Sequence, residues 1–306
     1  MKVCIIGCGA IGSLFAAHLA KDEEIEVWAY DLDQPHIDAI NAQGLRLSGV
    51  SNLVSHPHAT SNPDEIPACD FGIIATKALH TRAAIEATAR VFENGAVCSV
   101  QNGAGNEEII AEYVPRVMRG TTFPAGHIVT PGHVEQDTGG KTWMGPFEPK
   151  PATMDEVTRL AAALSHTGME SLAMEDARGA QWTKLIFNAA TNPIGALTQL
   201  PHGVACDQER VRKLISGLVA EGVAVAGALG IELDSDPEKL IDHAREVAYN
   251  HKASMLQDVQ AGRQTEVAAL NGGIVAFGAA NHVPTPLNAA IWALIEGLEH
   301  SMTRND

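Results

Sequence analysis

The sequence predicts an N-terminal α/β domain, a doubly wound parallel sheet, followed by an all-helical C-terminal domain. Three observations carry this. Short, wholly apolar runs alternate with helix-like stretches through the first half, as strands buried on both faces do. A glycine-spaced loop joins the first run to the first helix. From about Asp176 the pattern is helical nearly to the end of the chain. The boundary is expected near residue 175, dividing the chain into 1–175 and 176–306. A length of 306 residues suits two domains at ~150 residues each.

Val3-Cys4-Ile5-Ile6 is apolar without interruption and reads as a buried strand. Gly7-Cys8-Gly9-Ala10-Ile11-Gly12 follows at once, and Ser13 to Lys21 reads as an amphipathic helix. Ile25 to Tyr30 is a second strand, ending at Asp31. Phe71 to Ala75 is a third, followed by the helix-like Leu79 to Arg90, and Ala96 to Val100 is a fourth. Strands joined by helices pair in parallel. The β-rich runs Gly126–Val129 and Thr142–Gly145 are expected as added edge strands. In the second half, apolar residues at helical spacing fill 214–229 and 287–299, and Gly230, Pro237, Pro284 and Pro286 punctuate them. Asp176 to Asn192 reads as one helix that Pro193 stops or kinks. Two such domains suggest a cleft between them, the usual place for a cofactor-dependent site.

Lys and Arg total 21 against 37 Asp and Glu, a formal charge of -16. This excludes a nucleic-acid backbone or an anionic membrane surface as the main partner. Any anionic substrate needs a local cluster of positive groups. Met1 to Ala20 has the outline of a secretory signal, but glycines at 7, 9 and 12 break its apolar core. No other stretch is long and apolar enough to span a bilayer. The five cysteines are an odd number without Cys-x-x-Cys, as expected of a reduced, cytoplasmic protein. The 13 histidines include no His-x-x-x-His or Glu-x-x-His, and His56 and His58 have no third ligand in sight, so no metal site is expected.

The glycine loop carries the first chemistry. Gly7 allows a tight turn, Gly9 lets backbone approach a pyrophosphate, and Gly12 lets the helix pack on the strand. The helix N-terminus then offers unpaired N–H groups to phosphates. This is a Rossmann-type dinucleotide site formed by Gly7, Cys8, Gly9, Ala10, Ile11 and Gly12; the bland alternative is a tight turn without a ligand. Asp31 closes the second strand, where a carboxylate accepts hydrogen bonds from a ribose diol and repels a 2′-phosphate. Leu32, Asp33 and Gln34 supply no Arg or Lys to attract one, which favours NAD and leaves NADP possible.

Lys184, Asn188 and Asn192 stand four residues apart and share one helical stripe. They make a poor core seam and either a solvated face or a set of donors for a 2-keto acid, with Lys184 able to protonate an alcohol oxygen. Asn102 follows the fourth strand and Lys77 the third, at the carboxyl ends where ligands of such sheets gather, so both are expected at the cofactor, with Lys77 near the nicotinamide side. A plain Asn-Gly turn and a solvated loop lysine are the alternatives. Ser254 and Glu266, taken alone, read as helix-cap or surface residues.

Together these pieces resemble the ketopantoate reductase (2-dehydropantoate 2-reductase) family over nearly the whole chain. The matching segments are Gly7–Gly12, Thr76-Lys77, Gln101-Asn102-Gly103, Trp182-Thr183-Lys184 through Asn188 and Asn192-Pro193, Ser254-Met255-Leu256-Gln257-Asp258, and Arg263-Gln264-Thr265-Glu266 with Asn271-Gly272. The resemblance implies reduction of 2-dehydropantoate to (R)-pantoate with a nicotinamide cofactor, a step of pantothenate biosynthesis. It implies Lys184 as general acid and Glu266 as the group that holds the substrate hydroxyl and the lysine. It implies Ser254 and Asn102 on the substrate carboxylate, with Asn188 and Asn192 lining the pocket.

The chain departs from the pattern in three places. The family's usual cofactor is NADP, often read by a basic residue where Asp31 stands. Two pocket positions that are asparagine in well-characterised members are His202 and His251 here. Some relatives are NAD-dependent D-2-hydroxy-acid dehydrogenases acting on bulkier 2-keto acids, which is the alternative expectation. A second alternative, a non-catalytic dinucleotide sensor, expects loss of the proton donor, and Lys184 is present. Relatives include monomers and dimers, and the helical domain has apolar surface enough to allow a homodimer.

Overall fold

The computed structural model describes residues 1–302. Its twelve strands are β1 Lys2–Ile6, β2 Glu26–Tyr30, β3 Leu45–Gly49, β4 Leu53–Ser55, β5 His58–Thr60, β6 Phe71–Ile74, β7 Ala96–Ser99, β8 Val117–Thr122, β9 Ala125–Thr130, β10 His133–Thr138, β11 Thr142–Pro146 and β12 Ser171–Ala173. The helices are α1 Ala10–Leu19, α2 Gln34–Gln43, α3 Thr81–Thr88, α4 Asn106–Ala111, α5 Met154–His166, α6 Arg178–Thr198, α7 His202–Cys206, α8 Glu209–Ala228, α9 Pro237–Val247, α10 Ser254–Gln260, α11 Val267–Ala280 and α12 Pro286–Met302. Two compact units result. One comprises Met1–Gln101 with Asn106–Ala177, the other Asn102–Gly105 with the described residues from Arg178 onward.

In the first unit an eight-stranded sheet runs in the order β12-β11-β8-β7-β6-β1-β2-β5. Pairing is parallel from β5 through β8, antiparallel between β8 and β11, and parallel again between β11 and β12. The apolar runs explain the two-sided cover. Val3, Ile5, Phe71, Ile73, Ala96 and Cys98 pack with Leu14, Phe15 and Leu160 on one face. Cys4, Ile6, Ile74 and Val97 pack with Ile85, Phe92 and Ile110 on the other. Successive side chains of a strand point to opposite faces, so an uninterrupted apolar run serves both cores. Each large side chain buried this way contributes ~1.5–3 kcal/mol.

Four expectations need correction. Gly126–Val129 lies in β9, at the edge of a separate sheet ordered β4-β3-β10-β9, and not on the main sheet. Leu45, Leu47 and Val134 of that sheet are buried in the same core as α1. The run Thr142–Gly145 does join the main sheet, but β12 covers it and takes the edge. The stretch 79–90 is not one helix: a 3₁₀ turn at Ala78–His80 leads into α3, and a second follows at Ala89–Phe92. Residues 102–105, expected with the first domain, pack with the helical unit.

The helical unit is built around α6, whose Trp182, Leu185, Ile186, Ala189, Ala190 and Ile194 lie in one core with residues of α8, α11 and α12. Pro193 neither stops this helix nor ends it early; α6 runs through it to Thr198. Gly230 follows α8 with φ +66°, and Pro237 and Pro286 open α9 and α12 at the first helical position, where no N–H is needed. Asp236 caps α9 by accepting from the Glu238 N–H at 3.0 Å. The N-terminus of α12 is capped from another helix: Glu221 accepts the Leu287 N–H at 2.8 Å and the Asn288 N–H at 2.9 Å. Among the described residues no helix is long and apolar enough to cross a membrane.

Candidate active site

The first unit presents the glycine loop between β1 and α1. Gly7 has φ +89°, and a Cβ there would stand 2.5 Å from the Thr76 side chain. At Gly12 a Cβ would come within 1.8 Å of the Gly7 carbonyl oxygen, so helix and loop touch only because no side chain intervenes. At Gly9 a Cβ would meet nothing within 4 Å. Gly9 is also the N-cap of α1, and no side chain caps that terminus. Open space therefore faces the helix start. Ala10 and Ile11, in the first turn, are half-buried. Cys8 contributes main chain only, because its thiol is buried and burial pushes its pKa well up.

Asp31 is half-buried beside this loop. Its Oδ2 accepts the Cys8 N–H at 2.6 Å and its Oδ1 accepts the Asp33 N–H at 2.9 Å. The carboxylate is thus fixed by main chain on both oxygens. Behind the loop, Ser13 Oγ donates to the Cys8 carbonyl at 2.9 Å and lies 3.2 Å from His36 Nε2. The Gly132 N–H donates to His36 Nδ1 at 3.1 Å, which assigns the remaining ring proton to Nε2. Nothing in the spacing of residues 13, 36 and 132 marks this buried relay in the sequence.

At the ends of β6 and β7, Gln101 ties the two following loops together. Its Nε2 donates to the Thr76 carbonyl at 3.0 Å and to Thr81 Oγ1 at 2.7 Å. Thr81 Oγ1 lies 3.0 Å from Asn106 Oδ1. Lys77 follows Thr76 directly, half-buried, at the start of the 3₁₀ turn.

The second unit brings three expected residues together. The segment 102–105 docks on α11: the Ala104 N–H donates to the Ala269 carbonyl at 2.9 Å. Gly103, at φ +92°, passes so close that a Cβ would lie 2.6 Å from that of Ala269. This contact delivers Asn102 between α6 and Glu266, the N-cap residue of α11. Lys184 Nζ donates to Asn102 Oδ1 at 2.8 Å, and Asn102 Nδ2 donates to Glu266 Oε2 at 3.3 Å. A cation on one side and a carboxylate on the other fix the amide's orientation. Burial pushes the Lys184 pKa down to about 8, and the Glu266 charge opposes part of that fall.

The other expected residues are placed differently. Asn188 and Asn192 lie one and two turns beyond Lys184 on α6 and expose only 9% and 7% of their surface. Ser254 is the exposed first residue of α10. The His202 ring stacks on Phe187 of α6 with centroids 5.9 Å apart, and its Nε2 lies 3.1 Å from the Ile241 carbonyl oxygen. Burial lowers its pKa. His251 is exposed, and its carbonyl accepts the His202 N–H at 2.9 Å.

An open, mostly parallel sheet whose first strand runs into a glycine loop defines a dinucleotide-binding class of oxidoreductase, joined here to a helical unit that surrounds an ionisable lysine. The chain belongs to the ketopantoate reductase family. Residues 3–149 match the family model "Ketopantoate reductase PanE/ApbA" and residues 176–299 match its C-terminal counterpart. The 2-dehydropantoate 2-reductase of Pyrococcus abyssi is 34% identical over 301 residues, covering 98% of each chain. The enzyme of that name from Archaeoglobus fulgidus is 31% identical over 98% of this chain and 99% of its own. The crystal structure of a PanE/ApbA-family ketopantoate reductase from Ralstonia eutropha matches with TM-score 0.89 at 30% identity, over 99% of this chain and 100% of that one. A D-mandelate dehydrogenase in complex with NADH matches with TM-score 0.87 at 25% identity, over 99% and 100%.

Proposed function

We propose that the protein transfers a hydride between a nicotinamide dinucleotide and C2 of a small 2-keto or 2-hydroxy acid, with the reduction of 2-dehydropantoate to (R)-pantoate as the leading reaction. The observation that carries this reading is the Lys184–Asn102–Glu266 set: an ammonium 2.8 Å from an amide oxygen, its pKa brought down to about 8. The glycine loop fits a dinucleotide. Gly9 leaves space at an uncapped helix start, where the first-turn N–H groups lack partners within the helix and suit a pyrophosphate. When bound, the reduced nicotinamide supplies the hydride that C2 receives.

The residues of this chain handle the proton. Lys184 donates to the carbonyl oxygen as negative charge gathers there. A pKa of about 8 keeps most of the lysine charged at neutral pH, yet makes its proton easier to release than that of an ordinary lysine. Glu266 accepts from the substrate hydroxyl and, through Asn102, keeps the ammonium aimed. Asn188 and Asn192 offer amides along the same stripe, and Asn102 and Ser254 meet the substrate carboxylate. In a chain of net charge -16, Lys184 is also the local cation that an acid substrate needs.

We infer that NADH is preferred over NADPH. Asp31, held by the Cys8 and Asp33 N–H groups, keeps a negative charge where a 2′-phosphate would lie. A second reading, an NAD-dependent D-2-hydroxy-acid dehydrogenase for a bulkier 2-keto acid, draws support from His202 and His251, which stand where the family resemblance puts pocket asparagines, and from the likeness to D-mandelate dehydrogenase. Initial rates with 2-dehydropantoate, phenylglyoxylate and branched 2-keto acids, each with NADH and with NADPH, decide between them. Highest kcat/KM for 2-dehydropantoate supports the leading reaction, and highest kcat/KM for phenylglyoxylate moves the assignment to the second. Tight dinucleotide binding without turnover of any acid would leave a sensor.

A further inference from the structure

α6 has a gap in its hydrogen-bond ladder. Pro193 has no N–H, so the carbonyl of Ala189, four residues earlier, loses its helical donor. The gap falls between Asn188 and Asn192, within the stripe that begins at Lys184. Asn271 of α11 fills it: its Nδ2 donates to the Ala189 carbonyl at 2.9 Å. The same Nδ2 donates to Asn288 Oδ1 at 3.0 Å. Asn288 is oriented in turn by Glu221, whose Oε2 accepts from Asn288 Nδ2 at 2.8 Å and which also caps α12. Both partners of Asn271 Nδ2 are acceptors, so the amide has one orientation.

Asn271 and Asn288 expose no surface at all. Asn271 Oδ1 finds no donor among the described residues. A core position chosen only for packing avoids a stranded carbonyl oxygen, because burying one is destabilising. The two donors of Asn271 are what the position retains. Asn271 also stands on the helix whose N-cap is Glu266. One amide therefore ties the helix of Lys184 to the helix of Glu266, at the point where the first is weakest.

We propose that Asn271 is a positioning residue: by supplying the donor that Pro193 lacks, it keeps the two halves of α6 in line and holds Lys184, Asn188 and Asn192 in register with Glu266. This rests on the roles given to Lys184 and Glu266 above. Pro193→Ala restores an N–H at position 193 and with it the native ladder, so it should make Asn271 dispensable. The test is a cycle of wild type, Asn271→Ala, Pro193→Ala and the double variant.

Asn271→Ala is expected to lower kcat/KM for the 2-keto acid at least tenfold, while the dinucleotide Kd, set in the other unit, stays within about twofold. In the Pro193→Ala background the same change should cost less than about threefold. Hydrogen exchange over residues 185–196 gives a readout that needs no turnover: it should speed up in Asn271→Ala and return toward wild type in the double variant. Equal losses in both backgrounds, or unchanged exchange and kcat/KM in Asn271→Ala, would overturn the proposal. If Asn271→Ala does not fold, a folded double variant supports the proposal, and a double variant that also fails to fold contradicts it. Wild-type protein without turnover of any 2-keto acid would refute the functional reading alone, since the exchange cycle still decides the role of Asn271.

Discussion

Removing the Glu266 charge should move the pH dependence of catalysis in a direction the structure dictates. Lys184 sits at about 8 because burial lowers its pKa while the Glu266 carboxylate raises it. With Lys184 as the proposed proton donor the ammonium is the form active in reduction, so kcat/KM should be flat below pH 8 and fall tenfold per unit above it. The Glu266 charge raises the Lys184 pKa, so Glu266→Gln should move the limb to lower pH; an opposite charge at close range is typically worth ~1–3 units. With the lysine half protonated at pH 8 in the wild type, a fall of one unit lowers the active fraction there about fivefold. This comes on top of any loss of substrate contact. The assay follows dinucleotide oxidation at low 2-keto acid concentration from pH 5 to 10. Oxidation of the 2-hydroxy acid needs the neutral amine, so its limb should rise with pH and shift the same way. A limb that stays near 8, or moves upward, would refute the pairing of Lys184 with Glu266.

Asp31→Arg should weaken NADH binding and recover use of NADPH; a tenfold change needs only about 1.4 kcal/mol, less than one charge-assisted hydrogen bond often supplies. An unchanged NADH to NADPH ratio would mean that another residue reads the ribose. Gly9→Val should fold, since a Cβ there meets nothing within 4 Å, yet lose dinucleotide binding; retained affinity in the folded variant would remove the phosphate role of the loop. Burial lowers the pKa of His18, His36 and His202, so the unfolded chain takes up protons first, near pH 6.5. Their contribution to stability is therefore present above pH 6.5 and is lost as the pH falls toward each lower folded value. His36→Gln should show a smaller loss of stability between pH 7.5 and 5 than wild type in urea titrations, and an identical loss would contradict its buried neutral state.

The parts of the fold legible in the sequence are those where local pattern and tertiary burial agree. β1, β6 and β7 are covered on both faces, and their apolar runs show it. β4, β5 and β12 have three residues each and carry polar side chains, so no periodicity can mark them. The chemistry divides the same way. The spacing of Lys184, Asn188 and Asn192 shows that they share one stripe of a helix, which α6 bears out, but a stripe alone does not separate a solvated face from a set of donors. Glu266 is silent alone: its meaning comes from Asn102, carried to it by a segment that follows β7 in sequence but packs on α11. Of the two outcomes Pro193 allows, a stop and a kink, the stop does not occur. The local rule that proline ends a helix is sound, and a side chain 78 positions away, Asn271, supplies the missing donor.

The most direct test of the chemistry is single-turnover reduction by Lys184→Ala. Wild-type protein holding stoichiometric NADH should oxidise it when 2-dehydropantoate is added. The variant should bind NADH with unchanged affinity and react more slowly by a factor on the order of 10²–10⁴, the usual contribution of a positioned general acid. A variant that keeps more than about a third of the wild-type rate would contradict Lys184 as the proton donor.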